Sequence, residues 1–158
     1  MTQAGLSHLD ESGHARMVDV SAKDVTAREA RASGRVLLSA AAIAALRSGQ
    51  VPKGDALAVA RIAGIQGAKR TPDLVPLCHP IAIHSVTVDL EVTDEAMLIE
   101  ATVRTADRTG VEMEALTSVT VAALALIDMV KAIDPAAVIS DVRVEEKTGG
   151  KTGPWRRP

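Results

Sequence analysis

Between Gly110 and Ala132 the chain reads GVEMEALTSVTVAALALIDMVKA, and the thirteen residues from Ala115 to Ile127 carry no charge. A helix that is apolar on nearly every face belongs inside a domain or an interface, so the rest of the chain must supply its cover. The charges sit at its ends, with Glu112 and Glu114 at the start and Asp128 and Lys131 at the finish. Asp128 and Lys131 are spaced i, i+3 and share a face. Glu114 lies on almost the same stripe fourteen residues earlier, an axial separation of ~21 Å at the usual helical rise. One chain therefore cannot bring Glu114 and Asp128 to one small molecule. Either there are two sites, or two chains contribute to one.

The remaining segments are short and sharply punctuated. Residues 1–16 are polar and without period, as in a mobile arm, and 17–158 is long enough for a single domain with its own core. Met17–Ser21 alternates like a short strand, and Val25–Leu38 is read as a long one. Ser39 is a candidate N-cap for a helix that Gly49 ends, and Asp55 caps a second, ALAVARIAGIQGAKR, which Thr71-Pro72 stops. The small residues of that second helix, Ala60, Ala63, Gly64 and Gly67, let it approach a neighbour closely. Leu74–Pro80 is an apolar loop. Ser85–Val92 and Met97–Thr105 alternate as a β-hairpin, Pro135 closes the long helix, Val138–Glu146 is a last strand, and the tail from about Lys147 is flexible loop. The order, βαββαβ with an extra helix, predicts an α+β ferredoxin-like sandwich: an antiparallel sheet with helices on one face.

Composition narrows the function. The chain has no Phe or Tyr, only Trp155, and a net charge of -2. Neither base stacking nor a basic surface is on offer, so nucleic acid is excluded as a partner. No membrane span and no signal peptide are read from the hydropathy pattern, and the lone Cys78 suits a reducing compartment, so the protein is expected in the cytoplasm.

Gly149–Thr152 reads GGKT, but the first glycine of a phosphate-binding P-loop would fall on Glu145 and no helix can follow before Pro154. What survives is a run of flexible glycines with Lys147 and Lys151, able to offer N–H groups and charge to phosphate oxygens or to remain a solvated basic tail. Asp128 and Lys131 are either a surface ion pair or, given the apolar helix around them, a desolvated pair tuned for proton transfer. Cys78-His79 lacks the third group of a nucleophile and its base, so His79 is the candidate and Cys78 a buried thiol. No zinc spacing is found. Glu112 and Glu114 face different sides of the helix, where acidic residues are favoured by its dipole in any case. Arg28, Arg31 and Arg35 can be ordinary strand charges.

Six stretches occur together in order: KGD at Lys53–Asp55, ARIAGIQGAKRT at Ala60–Thr71, LCHP at Leu77–Pro80, GVEMEALT at Gly110–Thr117, DMVKA at Asp128–Ala132 and KTGGKTG at Lys147–Gly153. Together they resemble the cyclic pyranopterin monophosphate synthase family of molybdenum-cofactor biosynthesis, with Ile127, Val130 and Thr152 differing from some members. The resemblance implies one catalytic domain over 17–158. It also implies conversion of 3′,8-cyclised dihydro-GTP to cyclic pyranopterin monophosphate with release of pyrophosphate, a lyase reaction. By similarity Lys131 and Lys53 would move protons and Asp128 would assist Lys131. His79, the Leu77-Cys78 backbone, Glu112, Met113 and Glu114 would hold the guanine-derived part, and Arg28, Lys147 and Lys151 the triphosphate. The family forms hexamers, trimers of dimers with sites shared between subunits, and uses no organic cofactor, a magnesium ion with the triphosphate being allowed. The alternative class is a nucleotide-sensing regulatory module on the same fold that binds without converting.

Overall fold

The computed structural model describes residues 7–158, whose elements run β1 (Thr26–Leu37), α1 (Ala40–Ser48), α2 (Ala56–Lys69), α3 (Thr71–Leu74), β2 (Ile83–Val92), β3 (Ala96–Asp107), α4 (Glu112–Val130), β4 (Val138–Thr148) and β5 (Trp155–Arg156). The sheet order is β2-β3-β1-β4-β5, and every adjacent pair is antiparallel. With α2 and α4 laid on one face, this is the ferredoxin-like α+β sandwich that the order of segments predicted.

The long apolar helix is α4, and it finds its cover on β1, β3, β4 and α2. Among the described residues it is the one helix apolar and long enough to cross a membrane, yet 56% of that window is buried within the fold. Its inward residues Ala115, Val119, Ala122, Leu126 and Val130 meet Ala32, Val36, Ile99 and Val103 of the sheet. Ala60, Gly64, Gly67 and Ala68 form the buried stripe of α2. A Cβ on Gly67 would stand 2.7 Å from Val121 Cβ, and one on Gly64 3.0 Å from the Ser118 carbonyl oxygen. The small residues thus set the α2–α4 distance.

Both predicted N-caps are present: the Ser39 side chain accepts from Ala42 N–H and that of Asp55 from Ala58 N–H. Three local expectations need correction. Met17–Ser21 is not a strand, because its polar groups are used elsewhere: Asp19 Oδ1 accepts from Ser21 N–H, Lys23 N–H donates to the Val20 carbonyl, and the Val18 carbonyl lies against His79. Thr71-Pro72 ends α2 but opens α3, since a proline in a first helical turn lacks only an N–H that had no partner there. The tail beyond Lys147 is not all loop, for β5 pairs back onto β4. Of the segment read as a mobile arm, residues 1–6 lie outside the described residues. Residues 8–16 form a tight turn with a bridge between Leu9 and Ala15.

Candidate active site

Charged clusters stand at both ends of α4. At its C-terminal end the turn between α1 and α2 brings up Lys53: Gly54, at a φ of 104°, donates its N–H to the Val51 carbonyl, and Asp55 follows as the α2 cap. From there Lys53 Nζ reaches Asp128 Oδ2 at 2.7 Å, while Lys131 Nζ holds Asp128 Oδ1 at 2.8 Å. The hydrogen bonds from Lys131 and then from Lys53 lower the Asp128 carboxyl to about 2, so it is ionised at any working pH. The desolvation expected of this pair is not found in the single chain, where all three side chains are about half exposed. Asp128 and Lys131 lie on the outward side of α4 with Met113, Thr120 and Leu124, away from the stripe that enters the core. An apolar depression of about 420 Å³ lined by Val121, Leu124, Ala125 and Ile127 borders Asp128 and Lys131.

The N-terminal end is built differently. Glu114 turns inward, 1% exposed, beneath the loop that follows α3. The Cys78 thiol donates to Glu114 Oε1 at 3.5 Å, and Oε2 has no partner among the described residues. Burial raises the Glu114 carboxyl above its ordinary value. Burial first, and the nearby Glu114 second, push the Cys78 thiol to about 11, which keeps it protonated and unreactive. His79 Nε2 is 2.5 Å from the Val18 carbonyl oxygen; a carbonyl only accepts, so Nε2 is the donor there and Nδ1 is the ring nitrogen left for a ligand. Leu77 and Met113 are exposed nearby in sequence.

Glu112, on another side of the same helical turn, forms an ion pair of 3.3 Å with Lys147, whose Nζ also donates to Thr152 Oγ1 at 3.2 Å. Arg28 donates from Nε to the Asp107 carbonyl at 3.0 Å. Its guanidinium fits so closely under Gly150 that any Cβ there would strike it, and a Cβ on Gly149 would strike the Ala27 carbonyl. Gly149 and Gly150 have φ of 83° and 79°, values that only glycine adopts without strain. Lys151 is exposed on this loop.

Of the residues singled out in the sequence, the structure therefore gathers Lys53, Asp128 and Lys131 at one place. It joins Glu112 to Lys147, with Arg28 against the glycine loop, and Glu114 to Cys78 beside His79. It does not bring the two ends of α4 together. The Lys53–Asp128 contact spans 75 residues and nothing in the spacing signals it. The parts played by Thr152 and by the Val18 and Asp107 carbonyls were likewise invisible, because a backbone oxygen has no sequence signature. A larger depression, about 660 Å³, opens on the sheet face away from the helices. Its arginines are taken up by Asp141 and Glu145, and it holds none of these residues.

Fold and side chains together define the class: a ferredoxin-like α+β protein with two lysines around one ionised aspartate at one end of its central helix and a basic, glycine-rich loop at the other. The chain belongs to the MoaC family, whose model matches residues 17–150. It is similar to the cyclic pyranopterin monophosphate synthase of Streptomyces avermitilis, 70% identical over 155 residues that cover 98% of this chain and 91% of that one. It is similar also to the enzyme of the same name from Nocardioides sp., 67% identical over 97% of this chain and 96% of the other. Cyclic pyranopterin monophosphate synthase 2 of Mycobacterium tuberculosis is 57% identical over 96% and 91%.

Proposed function

We propose that the protein is a cyclic pyranopterin monophosphate synthase of molybdenum-cofactor biosynthesis, a lyase that converts 3′,8-cyclised dihydro-GTP to cyclic pyranopterin monophosphate and pyrophosphate. The observation that carries this reading is the Lys53–Asp128–Lys131 cluster, two ammonium groups held at 2.7 and 2.8 Å on one carboxylate. Each ammonium spends one of its three N–H donors on Asp128 and keeps the others for substrate. Two such groups side by side can hand protons to and from a rearranging ring, the work of general acid–base catalysis. Asp128, permanently ionised, orients both. Closure of the cyclic phosphate breaks the bond to the leaving pyrophosphate, whose charge Arg28, Lys147 and Lys151 would neutralise. The Gly149-Gly150 backbone offers N–H groups to the same oxygens. His79 Nδ1, the Leu77-Cys78 backbone, Met113, Glu112 and Glu114 would hold the guanine-derived part by hydrogen bonds, with no aromatic ring to stack on it. The reaction uses no organic cofactor, and a magnesium ion would arrive with the triphosphate as part of the substrate.

The separation of ~21 Å between Glu114 and Asp128 favours a site completed by a second copy, the N-terminal end of one α4 meeting the C-terminal end of another in a cytoplasmic hexamer, a trimer of dimers. The outward face of the α2–α4 layer suits such a contact: Val59, Ile62, Met113 and Leu124 are exposed. The Thr117 and Thr120 hydroxyls on it are turned back onto the Met113 and Leu116 carbonyls at 2.8 Å. Incubating the purified protein with the cyclised intermediate and assaying both products tests the proposal. Formation of cyclic pyranopterin monophosphate with one pyrophosphate per turnover is expected, and binding without release would instead mark a nucleotide sensor.

A further inference from the structure

We propose that the last strand, with Arg157 beyond it, is a clasp that holds the glycine loop in its anion-binding shape, which makes Trp155 and Arg157 positioning residues for the triphosphate. The inference rests on the reading that this loop takes the phosphates.

The loop between β4 and β5 contains three glycines at left-handed φ, Gly149 at 83°, Gly150 at 79° and Gly153 at 69°. A run of this kind loses much chain entropy when ordered. Its own bonds are few: Gly153 N–H to the Gly150 carbonyl at 3.2 Å and Lys147 Nζ to Thr152 Oγ1 at 3.2 Å. What closes it is the pairing of its two ends. Lys147 faces Trp155 and Glu146 faces Arg156 across an antiparallel ladder, so the chain returns beside the lysine from which it left. Arg157 then fastens the return three times. Its N–H donates to the Glu145 carbonyl and its Nε to the Val144 carbonyl, both at 2.8 Å, and its guanidinium stands over the Trp155 ring at 5.7 Å. The Glu145 carboxylate lies 3.9 Å from the same guanidinium.

On its other side the loop rests on Ala27 and on the Arg28 guanidinium, where glycine alone fits. The clasp therefore fixes Lys147, Lys151 and Arg28 relative to one another before any ligand arrives, and a pre-ordered loop binds more tightly than one that must be ordered on binding. Without it, the loop would be tied to the sheet at its β4 end alone. The core of the fold, centred on α4 and β1–β3, makes no use of the clasp.

The test compares the full chain with a version ending at Pro154 and with Arg157→Ala in the full chain. Hydrogen exchange of the amides from Thr148 to Gly153 reads the loop, calorimetry with inorganic triphosphate reads affinity, and KM and kcat on the cyclised intermediate read catalysis. Faster loop exchange at an unchanged melting temperature is expected in both variants. Triphosphate affinity should fall about tenfold in the shortened chain and less in Arg157→Ala, with KM raised and kcat retained at saturation. Loop exchange equal to that of the parent in both variants would overturn the clasp. Lys147→Ala separates the two ideas: if it weakens triphosphate binding and the shortened chain does not, the clasp fails while the phosphate site stands. If triphosphate binds parent, Lys147→Ala and shortened chain alike, the phosphate site fails and loop exchange still decides whether the strand holds the loop.

Discussion

The two ends of α4 carry the same functional group, a carboxylate, in opposite states. Glu114 is sealed beneath Cys78 and burial raises its proton affinity, whereas Asp128 is half exposed between two ammonium groups and holds its proton only below about 2. The first is set by the absence of water and the second by the presence of charge. Position on the helix does not make the difference, since the two lie on nearly the same face: the Leu74–Pro80 loop, with Cys78, covers residue 114, and residue 128 has no such cover. One helix thus offers a carboxyl sealed from water at one end and a carboxylate held between two cations at the other.

The contrast can be broken most forcefully at the charged end. Lys131→Ala should lower turnover by ~10²-fold or more while leaving the melting temperature nearly unchanged, since the side chain is more than half exposed. A pyrophosphate assay at the parent rate would remove Lys131 from the chemistry. Next in size is the layer that joins the ends. Gly67→Ala forces a methyl to within 2.7 Å of Val121 Cβ, and overpacking of this kind costs ~1–3 kcal/mol. That outweighs the roughly 1 kcal/mol gained in helix propensity, so urea denaturation should show a net loss.

Glu114→Gln tests the buried end with a smaller effect. Because the folded carboxyl is raised, its protonated form stabilises the fold fully below the ordinary glutamate value near ~4.3, and that contribution is lost as pH rises through the folded value. The glutamine variant should show a flatter melting temperature between pH 5 and pH 8, and an unchanged slope would mean that Glu114 is solvated after all. Asp128→Asn is the smallest of the set in stability. The sign is opposite: a lowered carboxyl stabilises above ~3.9 and loses that contribution only as pH falls toward about 2. Melting curves of parent and variant should therefore differ by a small constant from pH 5 to pH 8. A pH-dependent gap in that range would contradict an always-ionised Asp128.

Much of this arrangement was legible in the chain. Thirteen uncharged residues with carboxylates ahead and an Asp/Lys pair behind are enough to place α4 at the centre, and the i, i+2 offset of Glu112 and Glu114 is enough to send them to different sides of a turn. Asp55 and Ser39 announce their helices because a capping side chain acts within three residues. Contacts that depend on the whole fold were not legible. Lys53 meets Asp128 only because α2 lies along α4, and Glu114 is buried only because the Leu74–Pro80 loop folds over it. β5 is two residues long, too short for any alternation to show, and Met17–Ser21 alternates yet is held by side-chain bonds instead of a ladder.

The glycines of α2 have a mechanical consequence. Where Gly64 and Gly67 meet α4 there is backbone against Ser118 and Val121 with no rotatable side chain of α2 between them. A sliding motion of one helix along the other has no rotamer change to absorb it, and the α2–α4 layer is stiff along its length. The Lys53 ammonium, carried by the turn that leads into α2, is thereby held at a fixed station along α4, opposite Asp128.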